Sequence, residues 1–165
     1  ARSKDLVAAG KALAHLKDAE IKLQKNAYWA GHVAIQRTIV QAWVEYASGK
    51  QESALATMQQ ALSLENATEK SAISPGPFAP AGEQLGELLL ELKRPREALA
   101  AYQAALEKDA DRFRGIYGAA IAAEASGDAL LANKYFSKLV SVCEKADAER
   151  PELTQARAFL AANTQ

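Results

Sequence analysis

The chain has 165 residues, enough for one domain with a sizeable core or about four stacked helical hairpins. Twenty Lys and Arg balance twenty Asp and Glu, so no net field draws it to nucleic acid or to an anionic membrane surface. A single cysteine, Cys143, excludes an internal disulfide, and no run approaches the roughly 18 consecutive apolar residues of a membrane-spanning helix.

Residues 1–26 read as a helix with Leu6, Ala9, Leu13, Leu16 and Leu23 on one apolar stripe. Its Arg2, Lys4, Lys11, Lys17, Lys22 and Lys25 outnumber Asp5, Asp18 and Glu20, which reads as a solvated face. Ser3-Lys4-Asp5 followed by Ala9 matches Ser126-Gly127-Asp128 followed by Ala132, a turn leading into the second helix of a hairpin. With no initiator methionine ahead of Ala1, the expectation is a chain that begins in mid-repeat. Asn26 is the expected stop and cap. A second helix follows over 27–48, with Val33, Val40, Trp43, Val44 and Ala47 among its apolar positions, and Gly49 closes it. The third, Glu52 to Leu64, carries Ala54, Leu55, Met58, Ala61 and Leu62.

A loop over 66–78 contains Ser74-Pro75-Gly76-Pro77, which cannot continue a helix, and Phe78 is expected to anchor its exit in the core. Helix four runs from Pro80 to Leu92, Lys93-Arg94-Pro95 is a turn, and helix five spans Pro95 to Lys108. Helix six covers Asp111 to Ser126, and Gly127 supplies a left-handed turn residue. Asp128 caps helix seven, which extends to Lys145 with Cys143 as a small buried hydrophobe. Pro151 opens a last helix, Glu152 to Ala162, whose Leu153, Ala156, Phe159 and Leu160 would cover the final groove.

Within this succession one hairpin is written twice. Leu85, Gly86, Leu89, Ala98, Tyr102 and Ala105 recur 34 residues later as Ala119, Ala120, Ala123, Ala132, Phe136 and Leu139. Small residues return where helices approach closely, which is the mark of an array of helix pairs. Ala54, Met58 and Ala61 repeat the spacing of Ala98, Tyr102 and Ala105 at a distance of 44, so about ten residues are inserted there.

Chemistry is sparsely written. Glu83, Glu87 and Glu91 stand at steps of four on one helix, which suits a solvated face better than an acid–base pair held across a cleft. His15 and His32 fall on different helices with no ligand spacing around them, so no metal is expected. Gly82 and Gly86 follow no strand and form no phosphate loop, and Ser74 has no nucleophile-elbow context. No cofactor is implied, and an enzyme is the minority reading.

On the residues of the doubled hairpin, with Gly127-Asp128 and Ala132, the chain resembles a tetratricopeptide repeat protein. The match is best over 79–112 and good over 113–146. It is weaker over 35–65, where Gln41 and Glu45 replace apolar residues; Ala110 stands where the family has proline. The resemblance extends to the C-terminal end of larger bacterial proteins of this type. It implies an all-α, right-handed solenoid forming one domain over 1–165. Residues 1–26 would be the second helix of a truncated repeat, 27–65, 79–112 and 113–146 repeats, and 151–163 a cap. In this family the first helix of each hairpin lines a concave groove for a peptide or partner helix. Projected here, the groove comprises Gln36, Ile39, Trp43 and Tyr46, then Glu83, Glu87 and Leu90, then Arg114, Tyr117, Ile121 and Glu124. Trp43 reads equally as groove or core. Glu83 and Glu87 would repel an acidic tail, so an apolar or basic protein segment is the expected partner. The alternative is an assembly module of a larger solenoid, whose 1–26 face stacks on upstream repeats or on another copy, the latter giving a homo-oligomer.

Overall fold

Helix follows helix, with no strand among the described residues 5–68, 77–146 and 150–163 of the computed structural model. In chain order these are α1 (Leu6–Lys22), α2 (Ala27–Ala47), α3 (Gln51–Ala67), α4 (Ala81–Glu91), α5 (Pro95–Lys108), α6 (Phe113–Ala125), α7 (Ala129–Val142) and α8 (Pro151–Ala162). The helix starts follow local chemistry. Asp5, Asn26 and Asp128 each accept a hydrogen bond from the backbone N–H three residues on, at 2.8, 3.3 and 3.0 Å. Pro95 and Pro151 open α5 and α8, where a missing N–H costs nothing.

Three of the turns are built alike. Gly49, Lys93 and Gly127 all take positive φ, at 79°, 61° and 82°. In each, the next residue's N–H reaches back five residues: Lys50 to Glu45, Arg94 to Leu89 and Asp128 to Ala123, at 2.9, 2.9 and 3.0 Å. This closing pattern satisfies carbonyls that a helix end leaves open. Glycine takes it without strain, whereas Lys93 holds a left-handed conformation that its Cβ disfavours.

The chain divides into two compact units, Ala1–Leu88 and Leu89–Gln165. In the first, α2 packs against both α1 and α3. Ile35, Ile39, Ala42 and Trp43 of α2 and Ala54, Leu55, Met58 and Ala61 of α3 are all buried. Met58 is fully enclosed, and covering a side chain of that size stabilises by about 1.5–3 kcal/mol. Gln41 and Glu45, polar where apolar residues were expected, tie these helices together. Glu45 accepts hydrogen bonds from Gln41 Nε2, Ser53 Oγ and Thr57 Oγ1 at 2.8, 2.9 and 2.8 Å. Partial burial pushes the Glu45 carboxyl up, but these bonds and the Lys50 charge outweigh it and hold it below its ordinary value.

Several sequence expectations are corrected in this unit. The first helix ends at Lys22, and Asn26 caps α2 instead of closing α1. Ser3 and Lys4 of the supposed opening turn lie outside the described residues, as do Ser74, Pro75 and Gly76 of the loop. Asn66 belongs to α3, which runs to Ala67. Phe78 does not anchor the loop in the core; it is 97% exposed. That task falls to the buried Pro80 and Ala81 and to Glu65, whose carboxylate accepts the Ala81 N–H at 2.9 and 3.0 Å.

In the second unit α6 packs against α5 and α7, and α7 against α8. The face of α6 made of Gly115, Ile116, Gly118, Ala119, Ala120, Ala122 and Ala123 is buried. Its small residues let neighbouring axes come close. Gly118 is required as glycine, because a Cβ there would fall on the buried Tyr102 ring, 2.7 Å from its hydroxyl oxygen. Phe136 is fully enclosed and stacks obliquely on Phe159 of α8 with ring centroids 4.7 Å apart. Leu153 and Ala156 of α8 are buried as well, on the helix that packs against α7. Where Ala110 replaces the family's proline, Lys138 of α7 holds the turn by donating to the Ala110 carbonyl at 2.9 Å and pairing with Asp111 at 3.2 Å. Cys143, expected to be buried, is half-buried just past the end of α7.

Candidate protein-binding surface

The residues projected as a groove separate into structural and accessible sets. In the first unit Ile39 and Trp43 are buried, 4% and 5% exposed. Trp43 is a core residue: its indole N–H donates to Gln84 Oε1 at 2.8 Å, and Gln84 Nε2 donates onward to Glu87 Oε2 at 3.2 Å. A buried indole without such an acceptor would cost about 1–3 kcal/mol, so Gln84 is as necessary as the ring. Tyr46 packs edge-on against Trp43 with centroids 5.9 Å apart. Gln36 donates to the Ala79 carbonyl at 3.3 Å and steadies the entry to α4. Tyr46, Gln36 and Glu87 each remain half-buried.

Glu83 corrects the expectation of a solvated carboxylate face on α4. It is 2% exposed, in the first turn of a helix whose opening residues 81–86 are all buried. Glu87 is half-buried and Glu91 exposed, so the three do not form one solvated row.

In the second unit Arg114, Tyr117, Ile121 and Glu124 lie at steps of three, four and three on α6, opposite its buried small-residue face. Arg114 and Glu124 are exposed, whereas Tyr117 and Ile121 are half-buried. The Tyr117 hydroxyl donates to Gln155 Oε1 on α8 at 2.6 Å. Partial burial raises the Tyr117 pKa, and the carboxylates of Glu152 and Glu124 raise it further. The stripe is therefore an aromatic and an aliphatic side chain in a locally negative field, with Arg114 at one end. Leu90 of α4 is half-buried in this unit. Glu152 and Gln155 were not singled out by the sequence. Only the packing of α8 brings them to Tyr117, 35 and 38 residues along the chain, and no local spacing signals that meeting.

Among the described residues no three His, Cys, Asp or Glu side chains gather as a metal site requires. His15 is exposed, and His32 packs edge-on against Tyr28 at 4.5 Å. No helix of the described residues is long and apolar enough to cross a membrane.

No protein-family model matches the chain, and no curated protein sequence matches it. Solved structures do. PcrH from Pseudomonas aeruginosa superposes with a TM-score of 0.61 at 19% identity, over 78% of this chain and 90% of that one. PcrH in complex with the chaperone binding region of PopD gives 0.61 at 20% identity over the same shares. MamA gives 0.58 at 18% identity, over 91% of this chain and 81% of its own. Together with the eight helices and their repeated turns, these likenesses show the fold: an all-helical, TPR-like solenoid of helical hairpins.

Proposed function

We propose that this protein is an interaction scaffold that binds a segment of a partner protein, with the outer stripe of α6 as its principal contact surface. The observation that carries this reading is the division of α6 into two faces. One face is buried by small residues, while Arg114, Tyr117, Ile121 and Glu124 stay partly or wholly outside it. Aromatic, aliphatic and arginine side chains set on a rigid helix are the elements of binding hot spots. Glu124 and Glu152, both acting on Tyr117, favour an apolar segment carrying a basic residue over an acidic tail. Gln36, Tyr46, Glu87 and Leu90, each half-buried, are further contacts within their own units. The solved likeness of PcrH with the chaperone binding region of PopD supports a peptide-binding use of this fold.

The test is affinity capture from the source cell's extract with wild type and a Glu124→Lys/Glu152→Lys double variant, both checked for unchanged helicity. A partner retained by the wild type and lost by the variant is expected, with weaker retention at high salt. If both proteins retain the same partners, the α6 surface is wrongly assigned.

A further inference from the structure

Within the second unit the stripe on α6 has a flank that its own sequence does not signal, the start of α8. Phe113 and Tyr117, four residues apart on α6, each meet a polar side chain there. The Arg150 guanidinium lies over the Phe113 ring, 5.0 Å from its centroid. One turn further on, the Tyr117 hydroxyl donates to Gln155 Oε1 at 2.6 Å. The two helices therefore run in the same direction along a shared seam.

Each of these joints leaves hydrogen-bonding capacity to spare. Guanidinium N–H donors lie in the plane of the group, so stacking its face on a ring leaves their fork open to a carboxylate. Arg150 is exposed and makes no ion pair among the described residues. Gln155 gives its carbonyl oxygen to Tyr117, and the N–H groups of its exposed amide remain as donors for a peptide carbonyl. Beyond Tyr117 the seam turns negative, through Glu152 and Glu124. The exposed Glu124 lies eleven residues after Phe113. That is about 16 Å along a helix, the span of about five extended residues.

We propose that the α6–α8 seam takes an extended segment of a partner protein, with a side-chain carboxylate at Arg150, a backbone carbonyl at Gln155 and a basic residue at Glu124, about five residues from the carboxylate. The proposal rests on α6 as the contact surface and adds to it the acidic end and the extended form. An extended chain offers Gln155 carbonyls that a helix keeps for its own hydrogen bonds. Among the described residues no stretch between helices exceeds four residues, so none of them can supply such a segment from a second copy.

The test measures binding of labelled synthetic peptides to the full 165-residue chain by fluorescence anisotropy. The parent peptide reads Glu, four apolar residues, Lys; one derivative has Gln for Glu and another has Gln for Lys. Replacing the peptide's Glu is expected to weaken binding to the wild type about fourfold and to make no difference to Arg150→Gln. That variant keeps α8 intact, since the Arg150 side chain is exposed and caps no N–H. Phe113→Leu, which removes the ring beneath the guanidinium, is expected to cut the preference to about twofold. If the Glu and Gln peptides bind equally while loss of the Lys still weakens binding, the acidic end is overturned and the α6 surface stands. If loss of the Lys changes nothing, the α6 reading falls and the proposal falls with it. Binding by no peptide overturns the proposal, as does self-association of the wild type that Arg150→Gln abolishes, which would give the seam to a second copy.

Discussion

Helices α1 and α7 are nearly the same sentence in two settings. Both begin with an aspartate cap, both place alanine four residues later, and both follow it after four more with a large apolar residue. Yet Phe136 is fully enclosed whereas Leu13 is half-exposed and borders a cleft. The difference lies in neighbours. α7 lies against α6 and α8, while α1 packs on α2 and keeps Leu6, Val7 and Ile21 in contact with solvent. A repeat helix cannot bury its own apolar face, so the same pattern yields core where helices flank it on both sides and an exposed apolar face where, among the described residues, one side has no neighbour.

That contrast can be broken most sharply by truncating the paired residues. Phe136→Ala should destabilise the fold by about 3–5 kcal/mol, because a fully packed ring leaves a cavity. Leu13→Ala should cost less than about 1.5 kcal/mol, since water already reaches that site. Urea unfolding of the two variants measures both, and equal losses would mean that α1 is as enclosed as α7. A smaller effect sharpens the comparison among the three similar turns. Lys93→Gly should stabilise by about 0.5–1 kcal/mol by releasing a left-handed lysine, seen as a higher urea midpoint. The corresponding glycines, Gly49 and Gly127, have no such gain to make.

The smallest effect is a slope. Glu45 is held below its ordinary carboxylate value in the folded state, so the unfolded chain binds its proton first as pH falls. The stability it contributes is complete above the unfolded value, near pH 4.5, and is lost progressively as pH drops through the lower folded one. Glu45→Gln should therefore flatten the acid limb of stability against pH, measured as urea midpoints between neutrality and about pH 3.

Much of the fold is legible because its signals are local. The cap Asp128, the prolines opening α5 and α8, and the glycines at positions 49 and 127 act through residues within one helical turn. Lys93 escaped because a non-glycine residue in that conformation leaves no compositional mark. Of the surface projected from the family resemblance, only the helical setting of Arg114, Tyr117, Ile121 and Glu124 could be read from the residues themselves. The burial of Ile39, Trp43 and Glu83 could not, because the same helical period describes a groove side and a core side equally well. Phe78 shows the reverse error: a large aromatic after a loop invites a core role that Pro80, Ala81 and Glu65 had already filled.

What the amino-acid order determined by itself is the succession of helices, the starts marked by Pro95, Asp128 and Pro151, and the 34-residue recurrence, because hydrogen bonds and side-chain volumes at short range settle these. The tertiary structure alone decided which apolar stripe becomes core, and which stays exposed. It also brought Gln84 beneath Trp43, and Glu152 and Gln155 beside Tyr117. Those outcomes depend on which helix lies across each face, and contacts made over 35–41 residues of chain leave no trace in local spacing.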